Sequence, residues 1–359
     1  MVDERPNTAT APASSPANGT PGQNGAGAPQ PPGAEVSAGG GAPRPGLAAP
    51  CPACDALEFR VLFQTTDRLH RATRDTFEIV ECGQCRLIRL EPRPARPAVT
   101  GPAPRPAPSM TLAGRLEQAY RRLAFCDPAY FVRRAIEDAG PPGPVLDVST
   151  DGGLFRRCLR ERGTPVIGLD ASLEAASASV EAGGAPAVCA SLASAPVAPE
   201  SCAAITMLHV LERVEDPLTH VAAAHRLLRP NGRLIVQTPN AACWQFLLLG
   251  ENWAGLNVPR HLVDFRAREL EALLEACGFE VLRRKNFSLF DSPAGLATSL
   301  APGLDPDNRR ARGAVESPLE ELAKTLLYLA LVIAAVPFAT LEAACRVGST
   351  VMLEARKRA

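Results

Sequence analysis

Apolar and polar positions alternate with two different periods along this chain. Short apolar runs typical of buried strands recur at 145–149, 166–170, 187–190, 203–208 and 232–238. Stretches with helical spacing separate them, and these lie near 152–162, 172–182 and 216–229. Because the strands are apolar throughout and alternate with helices, the pattern predicts a doubly wound, mostly parallel α/β sheet.

Two stretches of the chain lack any apolar period. Residues 1–48 are rich in Pro, Gly, Ala, Ser and Asn and cannot bury enough surface to offset chain entropy, so we expect a disordered tail. Residues 92–110 contain the run "PRPARPAVTGPAPRPAP", which favours an extended linker. Residues 49–91 between them alternate like strands and predict a small module, which leaves 111–359 as the main domain.

The C-terminal part adds a helical run at 112–138 and two further strands at 280–286 and 349–355. The uncharged run "TLLYLALVIAAVPFATL" (325–341) marks an apolar helical insertion over 318–345. Three interpretations stay open: a buried core or dimer helix, a helical hairpin lying on a membrane, and a span of a bilayer about 30 Å thick. A span would put the last strand on the wrong side of the membrane, and flanking basic residues favour peripheral contact with anionic lipid.

Composition narrows the class of protein. The 359 residues carry a formal net charge of zero, so no overall field favours nucleic acid as a partner. No apolar signal region follows the charged first residues, and we therefore expect a cytoplasmic protein. Seven of the eleven cysteines are scattered singly, which fits buried thiols in a reducing compartment better than a disulfide framework.

The other four cysteines form two C-x2-C pairs. Cys51 and Cys54 are separated from Cys82 and Cys85 by 27 residues, and Gly83 suits the turn of the second pair. Four thiolates complete a tetrahedron around Zn²⁺ and leave no open position, so we expect a structural zinc ribbon. Two unrelated pairs or a redox dithiol are the alternatives. The dithiol is disfavoured because neither pair opens a helix after a strand.

The stretch "PVLDVSTDGGLFRRCLRERGTPVIGLDAS" (144–172) resembles the start of the class I S-adenosylmethionine-dependent methyltransferases. Their first motif runs apolar-Leu-Asp-apolar-Gly-x-Gly-x-Gly, and Asp147 and Gly153 match it. Ser149 and Asp151 stand where the family has glycine. The family's next landmark is an acid at the end of the second strand, which Asp170 supplies.

Later segments extend the resemblance to roughly residues 51–290 plus the final strand. "LLRPNGRLIVQTPN" (227–240) is similar to the family's fifth strand with its preceding turn. "WAGLNVPRHLVDFRARELEALLEACGFEV" (253–281) resembles a segment of a small-molecule branch in which an N-terminal C-x2-C…C-x2-C ribbon recurs. The resemblance implies S-adenosylmethionine as cofactor, besides structural Zn²⁺, and a seven-stranded Rossmann-like sheet whose last strand is antiparallel.

The resemblance also implies roles for single residues. Asp170 would accept both ribose hydroxyls, and Ser191 would lie at the adenine edge. Asp151 would either repel the cofactor carboxylate or pair with its ammonium group, and it would repel the pyrophosphate of a nicotinamide cofactor. The cofactor-binding candidates are Asp147, Ser149, Asp151, Gly153, Asp170, Ser191, Leu192 and Leu208.

Two histidines are candidates for the chemistry. His209 follows the fourth strand at the carboxyl edge of the sheet, where open α/β folds bind ligands, and it would act as a base or position the substrate. His261 lies on the segment expected to cover the site. For each, the alternative is a hydrogen-bonded, partly buried structural histidine.

The pattern and the resemblance together predict methyl transfer from S-adenosylmethionine to a small molecule such as a sugar, a lipid or a secondary metabolite. The alternative is a degenerate, non-catalytic binding or scaffold protein, because Ser149, Asp151, Ala203 and Arg213 depart from the family's pattern. An RNA methyltransferase is less favoured because the chain is neutral. We also expect two further partners: a second copy of the chain, and a membrane surface contacted by 325–341.

Overall fold

The structure, a computed structural model, describes residues 49–94, 111–148, 153–183 and 185–358. The predicted tail (1–48), most of the predicted linker, and the cofactor candidates Ser149 and Asp151 lie outside these residues. The described residues belong to one compact unit that spans Pro45–Ala359.

Eleven strands and nine α-helices are assigned within the described part of the chain. The strands are β1 (Phe59–Thr66), β2 (Thr76–Cys82), β3 (Ile88–Glu91), β4 (Val145–Asp147), β5 (Val166–Asp170), β6 (Ala187–Cys189), β7 (Cys202–Leu208), β8 (Leu228–Pro239), β9 (Val263–Asp264), β10 (Phe279–Lys285) and β11 (Thr350–Lys357). The helices are α1 (Leu112–Asp138), α2 (Leu154–Arg160), α3 (Leu173–Gly183), α4 (Pro217–Leu227), α5 (Trp244–Leu249), α6 (Ala267–Ala276), α7 (Ser292–Leu300), α8 (Pro306–Ala311) and α9 (Pro318–Ala344).

The larger sheet has seven strands in the order β10-β11-β8-β7-β4-β5-β6. Strands β4 to β8 pair in parallel, and all seven residues of β7 are buried, as expected for a sheet covered on both faces. The last strand, β11, inserts antiparallel between β8 and β10. The predicted Rossmann-like α/β sheet with an antiparallel last strand is therefore confirmed.

The start of β8 differs from the sequence prediction. The pattern placed the strand after the Pro230-Asn231-Gly232 turn, whereas β8 begins at Leu228. Asn231 has a φ of 62°, and the pairing of β8 with β7 skips from Leu228 to Arg233. The turn thus interrupts the strand instead of preceding it, because an asparagine tolerates this left-handed conformation.

Local side chains fix the ends of the two longest helices. The Thr111 hydroxyl accepts from the backbone N–H of Gly114 at the start of α1. Ser317 and Glu320 form a reciprocal capping box at the start of α9, and Pro318 occupies its first turn. Both caps satisfy backbone donors that would otherwise lack partners at a helix start.

The smaller sheet has the order β1-β2-β3-β9, and its last strand comes from the segment after β8. Glu81 on β2 is fully buried and accepts from Arg60 and Arg266, which joins the two parts of the chain by charge-assisted bonds. Ile79 and Ile88 belong to the same hydrophobic cluster as residues of the large sheet. The residues of the predicted ribbon are thereby packed directly onto the main sheet.

Helix α9 contains the apolar run and has two apolar faces. One face is buried against α1 and α7 and includes Tyr328 and Val332. The other is solvent-exposed and includes Ile333, 71% exposed. Within the described residues, α9 is the one helix long and apolar enough to cross a membrane, and 28% of its most apolar window is buried in the fold.

Candidate functional site

A cavity of about 520 Å³ opens at the carboxyl ends of β7 and β8. Leu208 and His209 form its floor together with Gln237 at the end of β8. Helices α1, α7, α8 and α9 cover it from one side, and residues 253–261 line the other. Both predicted histidines, His209 and His261, line this one cavity, and so does the buried face of α9.

His209 is held in an unusual backbone conformation between two carboxylates. Its φ is 57°, which residues with a Cβ seldom adopt. Nδ1 donates to Glu212 at 2.9 Å, and Nε2 lies 3.2 Å from a carboxylate oxygen of Asp291. Asp291 also accepts from the hydroxyl of Ser288 and the amide of Gln237. Each ring nitrogen therefore faces a carboxylate oxygen, and the amide nitrogen of Gln237 also lies 3.1 Å from Nε2.

This arrangement fixes the charge of His209. Burial by itself lowers the pKa of the ring, but the charge of Asp291 and the hydrogen bonds to Asp291 and Glu212 outweigh it and raise the pKa to about 10. The same contacts lower the pKa of both carboxyl groups against their burial. At neutral pH the group is an imidazolium between two carboxylates, and it has no lone pair with which to act as a base.

His261 is neutral and fully engaged. Burial lowers its pKa to about 3 against the opposing charge of Glu212. Its Nδ1 donates to the carbonyl of Gly255 at 2.8 Å, so its Nε2 is an acceptor, and that atom faces the amide nitrogen of Asn257 at 3.4 Å. These contacts describe a positioned structural group more closely than a free catalytic base.

The third histidine of the cavity is His70, which sequence reasoning did not select. Its Nε2 donates to the side-chain oxygen of Asn257 at 3.0 Å, and its Nδ1 has no hydrogen-bond partner among the described residues. Burial and the charge of Arg260 lower its pKa to about 4, so the ring is neutral. His70 lies between β1 and β2, and no local pattern in the sequence brings that loop to the carboxyl edge of the sheet.

The loop after β1 is fastened to the cavity by two arginines. Arg68 donates to the carbonyls of Asn252 and Ser299, and Arg312 donates to those of Arg68 and Leu69 at 2.9 Å each. Leu69 lines the cavity beside His70. One wall of the cavity is consequently built from the predicted zinc module.

Aromatic side chains form another wall. Phe125 on α1 stacks on Phe290 with ring centroids 4.6 Å apart, and Tyr120 lies 6.5 Å from Phe290. All three line the cavity. Phe290 and Asp291 follow β10, a stretch in which the sequence offers no recognisable motif.

Three predicted cofactor residues lie at the ends of β4 and β5 or at the start of α2, and none of them lines the cavity. Asp147 is fully buried and accepts from the Thr206 hydroxyl. Gly153 has a φ of 89° at the start of α2, which a residue with a side chain would adopt only under strain. Asp170 closes β5. Acids at these two strand ends and a glycine at the helix start are compatible with the cofactor that the sequence predicted.

The guanidinium of Arg156 on α2 engages both acids. It donates to the two oxygens of Asp170 at 3.1 and 3.2 Å, and its Nε lies 3.4 Å from Asp147. No local pattern predicts this contact, because an arginine on a short surface helix is ordinarily solvent-exposed.

The remaining cofactor candidates flank the end of β6 and β7. Ser191 is exposed, and its hydroxyl pairs with that of Ser194 at 2.7 Å. Leu192 is buried in the main hydrophobic cluster, and Leu208 is buried at the end of β7 and lines the cavity. Leu192 therefore contributes mainly to packing, whereas Leu208 lines the cavity.

The four cysteines of the two C-x2-C pairs converge. Their Sγ atoms all lie within 4.8 Å of one another, with Cys51 and Cys85 at 3.5 Å. Zn–S bonds of about 2.3 Å require sulfur atoms roughly 3.8 Å apart, so the cluster fits a tetrahedral Zn²⁺. Gly83 lies in the turn of the second pair, as expected, and donates its N–H to the carbonyl of Glu58. The left-handed residues Asp55 and Arg86 each come just after a pair.

Comparison with known proteins gives consistent matches. A family profile described as "Methyltransferase domain" matches residues 119–284. A ubiquinone biosynthesis O-methyltransferase of Pseudomonas paraeruginosa is 31% identical over 158 residues, 40% of this chain and 68% of that protein. The corresponding protein of Pseudomonas fluorescens is 28% identical over 173 residues, 45% and 74% of the two chains. A SAM-dependent methyltransferase structure from Thermotoga maritima has a TM-score of 0.41 at 15% identity, over 68% of this chain and 94% of that chain.

Proposed function

Because the chain belongs to the class I S-adenosylmethionine-dependent methyltransferases, we propose that it methylates the hydroxyl oxygen of a phenolic small molecule. The observation that carries this proposal is the aromatic wall of the cavity, which also contains the paired His209 and Asp291. The similar proteins of Pseudomonas are O-methyltransferases of ubiquinone biosynthesis. That likeness supports an oxygen acceptor and a lipid-like one.

The cavity suits a flat ring with an ionisable hydroxyl. Stacking on Phe125 and Phe290 favours an aromatic acceptor, since offset aromatic pairs gain about 0.5–1.5 kcal/mol beyond burial. A phenol has a pKa of about 10 in water, so the acceptor hydroxyl has to lose its proton as it accepts the methyl group. That proton passes to solvent through the carboxylate of Asp291, which lines the cavity and stays ionised because contacts with His209 lower its pKa.

Each group in the cavity has a part in this mechanism. S-adenosylmethionine supplies the sulfonium-bound methyl group when it is bound. His209 keeps Asp291 ionised and in place through the contact of its Nε2, and Glu212 fixes the other ring nitrogen. His70 and His261, both neutral, close the cavity towards the ribbon and exclude water. Alignment and exclusion of water are the main contributions that a protein makes to an in-line displacement.

Incubation with methyl-labelled S-adenosylmethionine tests the proposal. A substituted phenol such as a catechol is expected to gain label on its oxygen, while the same ring without the hydroxyl gains none. Label that goes only to amines or to RNA would contradict a phenolic acceptor.

The non-catalytic alternative rests on one specific observation, the contact of Arg156 with Asp170. If this pair cannot open, the ribose has no carboxylate to bind, and the protein would use its cavity only to hold a ligand. Such a protein would bind phenolic ligands and release no S-adenosylhomocysteine in the labelling experiment.

We also propose that the exposed apolar face of α9 and α5 contacts an anionic membrane surface, from which a lipid-like acceptor reaches the cavity. Ile333 on α9 is 71% exposed, and Leu247 and Leu248 on α5 are 80% and 69% exposed. The two helices adjoin, since Trp244 and Phe338 have ring centroids 6.3 Å apart. Exposed apolar side chains of this size, grouped on adjacent helices, are typical of an interaction surface.

Substitution of this face by serine is expected to abolish co-sedimentation with vesicles that contain anionic lipid. The variant is Leu247→Ser with Leu248→Ser and Ile333→Ser, which leaves the buried face of α9 intact. Leu173→Ser on α3, a leucine that is 72% exposed elsewhere, is the matched control and keeps binding. Unchanged co-sedimentation, or a dimer in sedimentation velocity that the same substitutions dissolve, would contradict the membrane assignment.

A further inference from the structure

Arg156 is buried more completely than its charge would lead one to expect. Its side chain is 1% exposed, and it is among the largest fully buried side chains in the described part of the chain. Besides Asp147 and Asp170, it donates to the hydroxyl of Ser179 on α3. A buried charge persists only where paired and hydrogen-bonded, so these contacts belong to the folded state and are not incidental.

The sheet leaves room for this guanidinium at Gly168. A Cβ added to Gly168 would lie 1.3 Å from Nη1 of Arg156 and 2.5 Å from its Cζ. Gly168 lies inside β5, paired with Asp147 on one side and Ala187 on the other, and it is not among the described glycines with positive φ. The glycine is therefore needed for volume and not for backbone conformation.

The ribose and the arginine require the same atoms. A guanidinium that binds a carboxylate through two parallel N–H···O bonds occupies both oxygens. A ribose diol held by Asp170 would also place one hydroxyl on each oxygen. Each oxygen of Asp170 keeps a second lone pair, but the guanidinium already holds one position on each oxygen and neutralises the charge of an acid that is 9% exposed. A ribose diol would therefore meet a weaker and less accessible acceptor.

We propose that Arg156 sets the affinity of the cofactor site by competing with the ribose for Asp170. This inference rests on the proposed function, because it concerns the same cofactor site. The competition acts equally on S-adenosylhomocysteine, which carries the same ribose, and it therefore favours release of that product. Arg156 therefore weakens binding of the nucleoside and shortens the time that the nucleoside stays bound.

Calorimetric titration with S-adenosylhomocysteine tests the competition. Arg156→Met, which keeps the volume and removes the donors, is expected to bind at least about tenfold more tightly than the wild type, as expected for loss of a competing charged hydrogen bond. Gly168→Ala is expected to shift affinity in the same direction, because the new Cβ takes the place of Nη1. Arg157→Met is the matched control: Arg157 is exposed, pairs with Glu161, and its loss leaves the affinity unchanged.

A comparison of nucleosides ties the effect to the ribose. Adenosine is expected to gain from Arg156→Met as S-adenosylhomocysteine does, whereas 2′,3′-dideoxyadenosine, which lacks the diol, gains nothing. In an Asp170→Asn background the gain is expected to vanish for both diol-bearing ligands.

The outcomes separate this inference from the proposed function. If Arg156→Met melts like the wild type and binds equally or more weakly, the competition is refuted while the function stands. If Arg156→Met does not fold, Arg156→Lys replaces it, because lysine keeps the charge but lacks the paired N–H donors of the guanidinium. Binding about threefold tighter than the wild type then supports the competition, whereas equal binding refutes it. If neither the wild type nor any variant binds S-adenosylhomocysteine, the proposed function itself fails.

Discussion

Removal of zinc is expected to unfold the ribbon and to dismantle one wall of the acceptor cavity. The four cysteines hold together β1, β2 and the turns around them, and the loop that carries Leu69 and His70 leaves the end of β1. Structural zinc in small modules contributes about 10–16 kcal/mol of apparent binding free energy, much of which is folding free energy. We expect Cys82→Ser or a zinc chelator to lower the stability of the chain by at least about 3 kcal/mol and to abolish methyl transfer.

Thermal melting, metal content and methyl transfer, measured on the same samples, check this expectation. Cys345→Ser is the matched control, because Cys345 is an exposed cysteine outside the cluster and its loss changes none of the three. A protein that contains no zinc as purified, or one whose melting and activity withstand complete chelation, would contradict the structural zinc site.

His209→Gln is expected to reduce methyl transfer about 100-fold, the usual scale of a proton-transfer contribution, because Asp291 loses the cation that keeps it ionised. Glutamine keeps a hydrogen-bond donor but loses the positive charge between Glu212 and Asp291. The affinity for S-adenosylhomocysteine is expected to stay within about twofold, because His209 faces the acceptor cavity. His220→Gln, on α4 and outside the cavity, serves as the control.

The pH dependence distinguishes this cation from a general base. The pKa of His209 is raised from 6.5 to about 10 in the folded chain, so its charge persists through neutral pH. Its contribution to stability, on the order of a few kcal/mol, is fully present below pH 6.5 and is lost as the pH rises towards 10. A general base would instead give a rate that climbs between about pH 6 and 7 through deprotonation of histidine, and such a rise, absent from His209→Gln, would refute the cationic role.

Much of the fold follows from local sequence pattern. The apolar runs predicted β5 with its observed bounds, and the helical spacing predicted α1 over Leu112–Asp138. The C-x2-C pairs predicted the convergence of four sulfur atoms because each pair fixes its own turn. These features depend on residues close together in the chain, and their spacing can be read from a single sequence.

The composition of the cavity could not be predicted in the same way. His70 and Asp291 are far apart in sequence from His209, and only the folded sheet brings them to the same edge. Arg156 sits on a short helix, and its partner Asp170 and the space at Gly168 belong to the next strand. The raised pKa of His209 could not be predicted either, because it depends on carboxylates that separate elements contribute.

Calorimetric titration of the wild-type chain with S-adenosylhomocysteine tests the central claim, that this fold is a working cofactor site, most directly. We expect saturable binding at one site per chain, weakened by Arg156 but measurable below millimolar ligand. Asp170→Asn is expected to weaken that binding further. Absence of any heat of binding at millimolar ligand, from a protein that retains its zinc and melts cooperatively, would contradict the assignment and favour a non-catalytic binding protein.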